Sequence, residues 1–423
     1  MDYVRRLVDD QLDELLPILP AIAVEGAKGV GKTATTAARA AHTYSLDRAA
    51  TRSIVADDPE VITKDHGTTF IDEWQRVPET WDVVRRAVDD GAEPGRFLLA
   101  GSATPDPKAN LHSGAGRIVR LMMRPMSLPE RRIAAPTVSL RSLTSPDESE
   151  VGGDTSLTVV DYVSEILQSG FPGIRRAAPA ARPYLLDSYI DRIVDHDVAE
   201  VGDTVRHPEA LRQWLTAYGA ASATTASYAS LLNASTPGEE AKPSKQTTMA
   251  YRNLLRRMWV LDPIPAWAPG LANLAALGQS PKHHLVDPAL AARLVGATAD
   301  SLIHGDGPAT PHQSSTFLGA LFESLAVQTV RVLAQSLGLK VFHLRTHGGA
   351  HEVDLLVQRP DLTVVAIEVK LSSMVRPGDV AQLNWLREQL PDLVMDQVVL
   401  NTGPQAYRRK DGVAVVPLAL LGL

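Results

Sequence analysis

The first hundred residues alternate short apolar runs with amphipathic stretches. Residues 21–24, 70–71 and 97–100 are apolar runs bounded by polar residues, which is typical of buried strands. Residues 32–41 are rich in alanine and residues 79–88 carry apolar side chains at helical spacing. Strands that alternate with helices in this way predict an α/β fold built on a parallel sheet.

Two breaks in the pattern divide the rest of the chain. Residues 140–158 are polar and carry Pro, Gly and Ser, and residues 262–270 read DPIPAWAPG. The block between the breaks is patterned for helices, and the last block ends in the strand-like runs HEVDLLV and TVVAIEVKL. We therefore predict three domains, at 1–140, 155–265 and 282–423. Because single cores stop growing near ~250 residues, we expect more than one independent core in a chain of 423 residues.

Composition narrows the class of protein. A hydrophobic fraction of 44% and a charged fraction of 22% indicate a packed globular chain. The sequence has no cysteine, which excludes disulfides and thiolate metal sites, and we find no run of about 20 apolar residues. We therefore expect a cytoplasmic protein without a membrane anchor. The net charge of -7 means that any binding of nucleic acid must rest on a local basic surface.

A glycine-rich motif follows the first predicted strand and opens the first predicted helix. Its spacing is Gly26-xxxx-Gly31-Lys32-Thr33, with a further glycine at Gly29. Glycines let the backbone fold around phosphates and direct its N–H groups at them, while the lysine reaches the β- and γ-phosphates and the hydroxyl ligates Mg²⁺. This context predicts a P-loop that binds ATP and Mg²⁺.

Polar residues that follow the next two predicted strands supply the other parts of such a site. Asp72 is placed to hold Mg²⁺ and Glu73 to act as base toward water, although both also suit a solvated strand end. Ser102 suits a sensor of the γ-phosphate or an ordinary turn residue. Arg117 is a candidate arginine finger, with a surface arginine as the alternative.

The segments GAKGVGKT, IDEWQ, LLAGSATP and HSGAGR, taken together, resemble the bacterial and archaeal family of AAA-type ATPases that end in a conserved domain of unknown function. GFPGIRR and DRIVDHDV extend the likeness along the chain. The resemblance implies an ATPase core, a helical or winged-helix middle domain and a C-terminal domain like restriction endonucleases. It carries over the roles given above to the P-loop residues, the acidic pair and Ser102. It also carries Arg117 over as an arginine finger, which acts either in cis or from a neighbouring subunit of a homo-oligomer.

The stretch at residues 242–260 contains five basic residues and no acid, namely Lys242, Lys245, Arg252, Arg256 and Arg257. With the helix-like run SYASLLN before it and VLDPI after it, the stretch fits a winged helix-turn-helix whose second helix enters the major groove of DNA. The alternative is a charged helix that faces another domain of the same protein.

The last block contains a second set of acids and a lysine. Glu323 lies on an amphipathic helix, and Asp354, Glu368 and Lys370 lie on two successive predicted strands. Carboxylates that bind a metal beside a lysine that polarises water are what phosphodiester hydrolysis requires. The spacing resembles the PD-(D/E)xK nuclease superfamily, with Glu323, Asp354 and Glu368 as metal ligands. A solvated strand face is the alternative.

The sequence thus predicts an ATPase that couples its nucleotide state to a DNA-facing winged helix and a nuclease-like domain. A nucleotide-dependent switch or scaffold that binds protein partners and cuts nothing is the competing hypothesis.

Overall fold

The computed structural model describes residues 3–103, 114–145, 149–197, 207–235, 244–268, 280–304 and 314–423. Lys242 of the predicted basic helix lies outside these residues, as do the ends of three of the motifs above, at 104–105, 112–113 and 198.

Five parallel strands form the first sheet, in the order β2-β3-β4-β1-β5. They are β1 (Ala21–Glu25), β2 (His42–Ser45), β3 (Thr69–Asp72), β4 (Phe97–Gly101) and β5 (Val119–Met122). The predicted parallel α/β sheet is confirmed. Because all strands run the same way, the segments that follow β1, β3 and β4 meet at one edge of the sheet.

Helix α1 (Leu7–Leu15) precedes β1, and the strands that follow are connected by α2 (Lys32–Ala37), α3 (Ala49–Asp57) and α4 (Glu79–Asp89). The helix α2 is shorter than the predicted 32–41. It ends early because the chain turns into the edge strand β2, where the backbone N–H of Ala41 already donates to the carbonyl of Thr68 at 2.8 Å.

The middle of the chain is helical, as predicted. Its helices are α5 (Leu140–Leu143), α6 (Val159–Leu167), α7 (Pro172–Arg176), α8 (Arg182–Arg192, continued by a π-helical turn at Ile193–Asp197), α9 (Pro208–Ala220), α10 (Tyr228–Ser235), α11 (Lys245–Arg257), α12 (Pro288–Leu294) and α13 (Ala299–His304). The extended segment after α11 makes two isolated antiparallel bridges, Leu261 with Leu285 and Ile264 with Lys282. The helix pair of the predicted winged helix is present, and its wing is not confirmed.

The C-terminal part packs one long helix, α14 (Ser314–Ser336), and α15 (Ala381–Gln389) around a mixed sheet of order β11-β12-β10-β9-β8-β7. The strands are β7 (Lys340–Arg345), β8 (Glu352–Gln358), β9 (Val364–Val369), β10 (Val394–Asn401), β11 (Tyr407–Arg408) and β12 (Ala414–Pro417). A last strand, β13 (Leu421–Gly422), pairs in parallel with β6 (Val138–Ser139) from the first third of the chain.

One hydrophobic core extends through all three parts of the chain, and two further clusters lie apart from it. Ile22 and Val24 of β1 belong to the same buried cluster as Tyr162, Phe322 and Leu420. The other face of β1 packs into a separate cluster with Trp74 and Trp81 of the first part, and a third cluster lies on the far face of the C-terminal sheet. The three domain ranges given above remain predictions.

Helix α14 corrects the expectation about long apolar runs. Thr316–Ser336 is long and apolar enough, by length and composition, to cross a membrane. In the structure 67% of its most apolar stretch is buried inside the fold. Its residues Leu321, Phe322 and Leu325 are fully buried in the shared core.

Candidate functional site

The loop between β1 and α2 adopts a conformation that its glycines permit. Gly26, Gly29 and Gly31 have φ values of 155°, 82° and 110°, which side chains of L-residues rarely adopt. At Gly26 a Cβ atom would lie 2.1 Å from the carbonyl oxygen of Met123. The backbone of the loop therefore wraps over the end of β1 as the sequence predicts for a P-loop.

Lys32 is buried at the base of this loop, with 5% of its surface exposed. Its ammonium donates to the carbonyl oxygens of Gly26 at 2.8 Å and Ala27 at 3.0 Å. Burial lowers the pKa of Lys32 to about 8, and the nearby carboxylates of Glu73 and Asp72 offset only part of this effect. The ammonium is thus bonded to neutral carbonyls and keeps its capacity to attract an anion.

Thr33 and Asp72 lie together where the sequence predicts a cation site. The hydroxyl of Thr33 donates to both carboxylate oxygens of Asp72, at 3.1 and 3.0 Å. Burial raises the pKa of Asp72 to about 6, although the bond from Thr33 opposes that shift. A hydroxyl and a carboxylate are the oxygen ligands that Mg²⁺ prefers, so these side chains fit the predicted cofactor.

Glu73 follows Asp72 with a φ of 55°, which turns it out of the strand. Its carboxylate accepts hydrogen bonds from the hydroxyl of Ser102 at 2.8 Å and from the side-chain amide of Gln75. Gln75 also donates to Ser102 at 3.1 Å. The two predicted residues, Glu73 and Ser102, are therefore brought together, and Gln75 is an addition that sequence reasoning missed, although it ends the IDEWQ motif.

Arg117 lies at the other end of the sheet. It precedes β5, whose last residue, Met122, is the one paired with Glu25 beside the P-loop. The four-residue strand spans about 13 Å, and Arg117 bonds to Asp89 at the end of α4. Within one chain the guanidinium therefore does not approach Lys32. A role across a subunit interface stays a prediction.

A buried ion network joins the three parts of the chain below the P-loop. Asp262 accepts from Arg124 at 2.7 Å and pairs with Arg331 of α14 at 2.9 Å. Burial opposes ionisation of Asp262, but the two arginines outweigh it and lower its pKa to about 2. Arg124 directly follows Met123, whose carbonyl lies against Gly26. The floor of the loop is thus connected to the middle and C-terminal parts.

A cavity of about 230 Å³ opens beside the P-loop. Its apolar lining comes from the N-terminal segment, the P-loop, the segment after β5 and the start of α7, namely Val4, Val30, Ala34, Met123, Met126 and Pro172. The exposed arginines Arg132 and Arg176 and the half-buried Arg175 lie at its rim. The cavity therefore combines apolar walls with positive charge next to the phosphate-binding loop.

The C-terminal part brings together the predicted residues Asp354, Glu368 and Lys370. Lys370 bonds to Glu368 at 3.1 Å, and the backbone N–H of Val369 donates to Asp354 at 2.9 Å. Burial and the charge of Asp354 raise the pKa of Glu368 well above its ordinary value. Burial alone would raise the pKa of Asp354, but the charge of Lys282 outweighs it and holds that pKa well below its ordinary value.

Lys282, which sequence reasoning did not single out, lies at the centre of these acids. Its ammonium is 2.9 Å from oxygens of Glu323, Glu352 and Asp354, and its side chain is 1% exposed. Burial lowers the pKa of Lys282, but the three carboxylates outweigh burial and raise it well above the ordinary value. Burial and the neighbouring Asp354 raise the pKa of Glu323 to about 8.

The metal ligands predicted in the C-terminal part, Glu323, Asp354 and Glu368, are not arranged as a group that could hold a metal ion. Among the described residues, no group of three or more histidines, aspartates or glutamates is arranged to hold a metal ion. Glu323 and Asp354 point their carboxylates at Lys282 instead. No sequence pattern indicates these contacts, because Lys282 lies 41 residues from Glu323 and 72 residues from Asp354 along the chain.

Helix α11 carries the predicted basic face on its outside. Tyr251, Leu254 and Leu255 pack inward, whereas Lys245 and Arg256 are exposed. The guanidinium of Arg252 covers the ring of Tyr228 at 4.9 Å. The described basic residues therefore mark a cationic surface rather than a helix enclosed in the core.

Comparison with family models divides the chain into three matches. Residues 19–131 match an AAA domain, residues 160–301 match a domain of unknown function (DUF8612) and residues 318–421 match a second domain of unknown function (DUF4143). Two relatives are uncharacterized proteins, Rv2008c of Mycobacterium tuberculosis and Mb2031c of Mycobacterium bovis. Each is 24% identical over 424 residues, covering 98% of this chain and 83% of the relative.

Two solved structures overlap partly with the chain. The Walker-type ATPase PABY2304 of Pyrococcus abyssi is 13% identical, with a TM-score of 0.39 over 69% of this chain and 96% of that one. The replication initiator DnaA bound to AMPPCP and single-stranded DNA is 14% identical, with a TM-score of 0.23 over 59% of this chain and 86% of that one. Both scores are too low to indicate a shared overall fold. The P-loop geometry and the family match agree with each other: residues 19–131 match an AAA domain and lie on a parallel α/β sheet.

Proposed function

We propose that the protein binds ATP with Mg²⁺ at the P-loop and hydrolyses it. The contact between Thr33 and Asp72 supports this most directly. It places a hydroxyl and a carboxylate together beneath a glycine loop whose lysine is buried and bonded only to carbonyls in the described structure. That combination satisfies the needs of a triphosphate and its cation at once.

Each side chain then has a separate task. Lys32 attracts the phosphate oxygens. Thr33 and Asp72 would hold Mg²⁺, and the ion would supply positive charge that neutralises the phosphates. Glu73 takes a proton from the attacking water as the bond between the γ-phosphorus and its bridging oxygen breaks. Ser102 and Gln75 fix the carboxylate of Glu73 by the hydrogen bonds described above. ADP, inorganic phosphate and one proton are the products near neutral pH.

The cavity beside the loop is suited to the nucleoside. Its volume of about 230 Å³ and its apolar walls from Val4, Val30 and Met123 fit a flat base. The rim arginines Arg175 and Arg176 belong to α7 in the middle of the chain. A nucleotide in this position contacts two parts of the molecule, so its presence stabilises their arrangement.

ATP binding and hydrolysis at this site serve a nucleotide-dependent switch. The middle of the chain contributes α7 to the cavity, and the network of Arg124, Asp262 and Arg331 connects the loop floor to α14. ATP and ADP therefore act on contacts shared by all three parts. Glu323 and Asp354 bond to Lys282, and this arrangement gives no support to phosphodiester cleavage. We therefore favour a switch that binds a partner over a nuclease.

The first experiment measures ATP affinity and turnover of the whole chain. Lys32→Ala should weaken ATP binding, and Glu73→Gln should keep binding and lose turnover. Lys64→Ala is the matched control, because Lys64 is an exposed lysine paired only with Asp58 among the described residues. Wild-type protein that fails to bind ATP, or Lys32→Ala that binds it normally, would refute the proposal.

A nucleic acid is the partner that one observation favours, namely the exposed cationic face of α11. Fluorescence anisotropy with a DNA duplex should give binding that weakens as salt rises, as counterions are released from the phosphates. The double variant Lys245→Ala/Arg256→Ala should bind more weakly and show a shallower salt dependence. Equal binding by the variant would leave a protein as the favoured partner of the switch.

A further inference from the structure

Three carboxylates from one helix and one strand converge on one ammonium group in the C-terminal part. Glu323 comes from α14, and Glu352 and Asp354 come from β8, each with an oxygen 2.9 Å from Nζ of Lys282. An ammonium group has three hydrogens to donate. All three are used here, and each carboxylate directs an oxygen at the same point.

We propose that Lys282 is a resident internal cation, which takes the position that a divalent metal holds in nuclease-like folds and makes this domain a non-cleaving scaffold. The proposal stands on the three 2.9 Å contacts and on the burial of the side chain. Water does not compete for the ammonium, because only 1% of the Lys282 side chain is exposed. This proposal about Lys282 does not depend on ATP binding at the P-loop.

The geometry disfavours a metal at the same point. Mg²⁺ requires about six oxygen ligands at ~2.1 Å, and it retains several waters. The ammonium lies among the acids, while the remaining acid, Glu368, is held by Lys370 at 3.1 Å. A metal would have to displace Lys282 into an apolar interior, which is costly for an unpaired charge.

The same lysine fastens a segment that reaches the nucleotide cavity. The backbone of Lys282 exchanges two hydrogen bonds with Ile264, at 3.0 and 2.9 Å. Five residues later, the carboxylate of Asp287 accepts from the backbone N–H of Gly170 at 2.7 Å. Gly170 lies two residues before Pro172, which lines the cavity. The carboxylate cluster therefore serves as an anchor for the segment that positions α7.

The test measures Mn²⁺ binding and thermal unfolding of the full chain without nucleotide. In wild type, Mn²⁺ bound per chain should be the same as in Glu368→Gln and Asp354→Asn, which shows that these acids hold no metal. Lys282→Met should lower Tm by on the order of 10 °C. The released carboxylates should then gain one Mn²⁺ per chain and recover part of that loss. Lys340→Met, at an exposed lysine on β7, should behave as wild type.

Two outcomes that depend on Glu368 would overturn the proposal. One is a Mn²⁺ in wild type that disappears in Glu368→Gln, and the other is Mg²⁺-dependent plasmid cleavage that the same variant abolishes. A Lys282→Met protein whose Tm is unchanged would also contradict it. If that variant does not fold, the wild-type comparison with Glu368→Gln and Asp354→Asn still decides, because a metal in this cluster must depend on those acids.

Discussion

Two buried lysines lie beside acids in this molecule, and their surroundings are opposite. At the P-loop, Lys32 bonds to the carbonyls of Gly26 and Ala27, and the nearest acids bond to hydroxyls and an amide. In the C-terminal cluster, Lys282 bonds to three carboxylates directly. Burial lowers the pKa of Lys32 to about 8, whereas the carboxylates raise the pKa of Lys282 well above its ordinary value.

The difference shows how the same residue types serve binding or structure. Acids and an ammonium that are kept apart retain their attraction for an incoming phosphate or cation. When they pair with each other, that attraction is satisfied inside the protein and contributes only to holding elements together. Both sites contain acids and a lysine. What distinguishes the binding site from the structural anchor is whether the ammonium bonds to carbonyls or to the carboxylates themselves.

Exchanging each lysine for alanine gives the largest effects. Lys282→Ala should lower the free energy of unfolding by about 3–5 kcal/mol, because it leaves buried carboxylates uncompensated. Lys32→Ala should reduce ATP turnover by ~10²–10³-fold, since one preorganised positive group is lost from the phosphate site. Denaturant unfolding and steady-state hydrolysis of both variants measure this. An equal loss of stability in Lys282→Ala and Lys32→Ala would contradict the distinction between a structural lysine and a binding lysine.

Glu73→Gln tests whether the separated acids at the P-loop perform chemistry. The amide keeps the size and the hydrogen-bond geometry of the side chain but cannot take a proton, so turnover should fall by ~10²-fold or more. ATP affinity should stay within a few-fold of wild type. Single-turnover hydrolysis and equilibrium binding separate the two. If Glu73→Gln still hydrolyses ATP at the wild-type rate, another residue acts as the general base.

pH should distinguish the two lysines. Lys32 loses its proton near pH 8 in the free protein, so ATP affinity should decrease about tenfold per pH unit above that value. Lys282, whose folded pKa is raised, stays protonated over the same range. Its contribution to stability is complete below the unfolded pKa of about 10.4 and is lost only as pH rises through the higher folded value. Binding isotherms and unfolding curves from pH 7 to 9.5 provide the comparison.

The smallest effect is expected at Gln75, which only positions Glu73. Gln75→Leu should lower kcat by about tenfold, because the hydrogen bond that it removes from the carboxylate of Glu73 contributes roughly 1.5 kcal/mol or more. KM for ATP should not change, which separates a positioning role from a loss of folded protein. Gln75→Asn, with the same amide on a shorter stem, is the matched variant. A raised KM with unchanged kcat would place Gln75 in substrate binding instead.

The sequence predicted those parts of the site that are determined by residues close together along the chain. The loop from Gly26 to Thr33 is continuous, and Asp72 and Ser102 follow strands whose apolar runs are visible, so their convergence follows from a parallel sheet. The position of Arg117 was not predictable, because the direction of the edge strand β5 places it at the far end. Lys282 was missed since its partners come from α14 and β8, and only the tertiary fold shows the distances between them.

The shared core sets the order in which the molecule can be completed during synthesis. The face of β1 with Ile22 and Val24 belongs to a cluster that includes Phe322, and the buried guanidinium of Arg131 donates to Gln328 of α14 at 3.0 Å. Those partners leave the ribosome roughly 300 residues after the P-loop. The nascent P-loop part therefore holds some of its apolar surface, and the guanidinium of Arg131, without their final contacts until then.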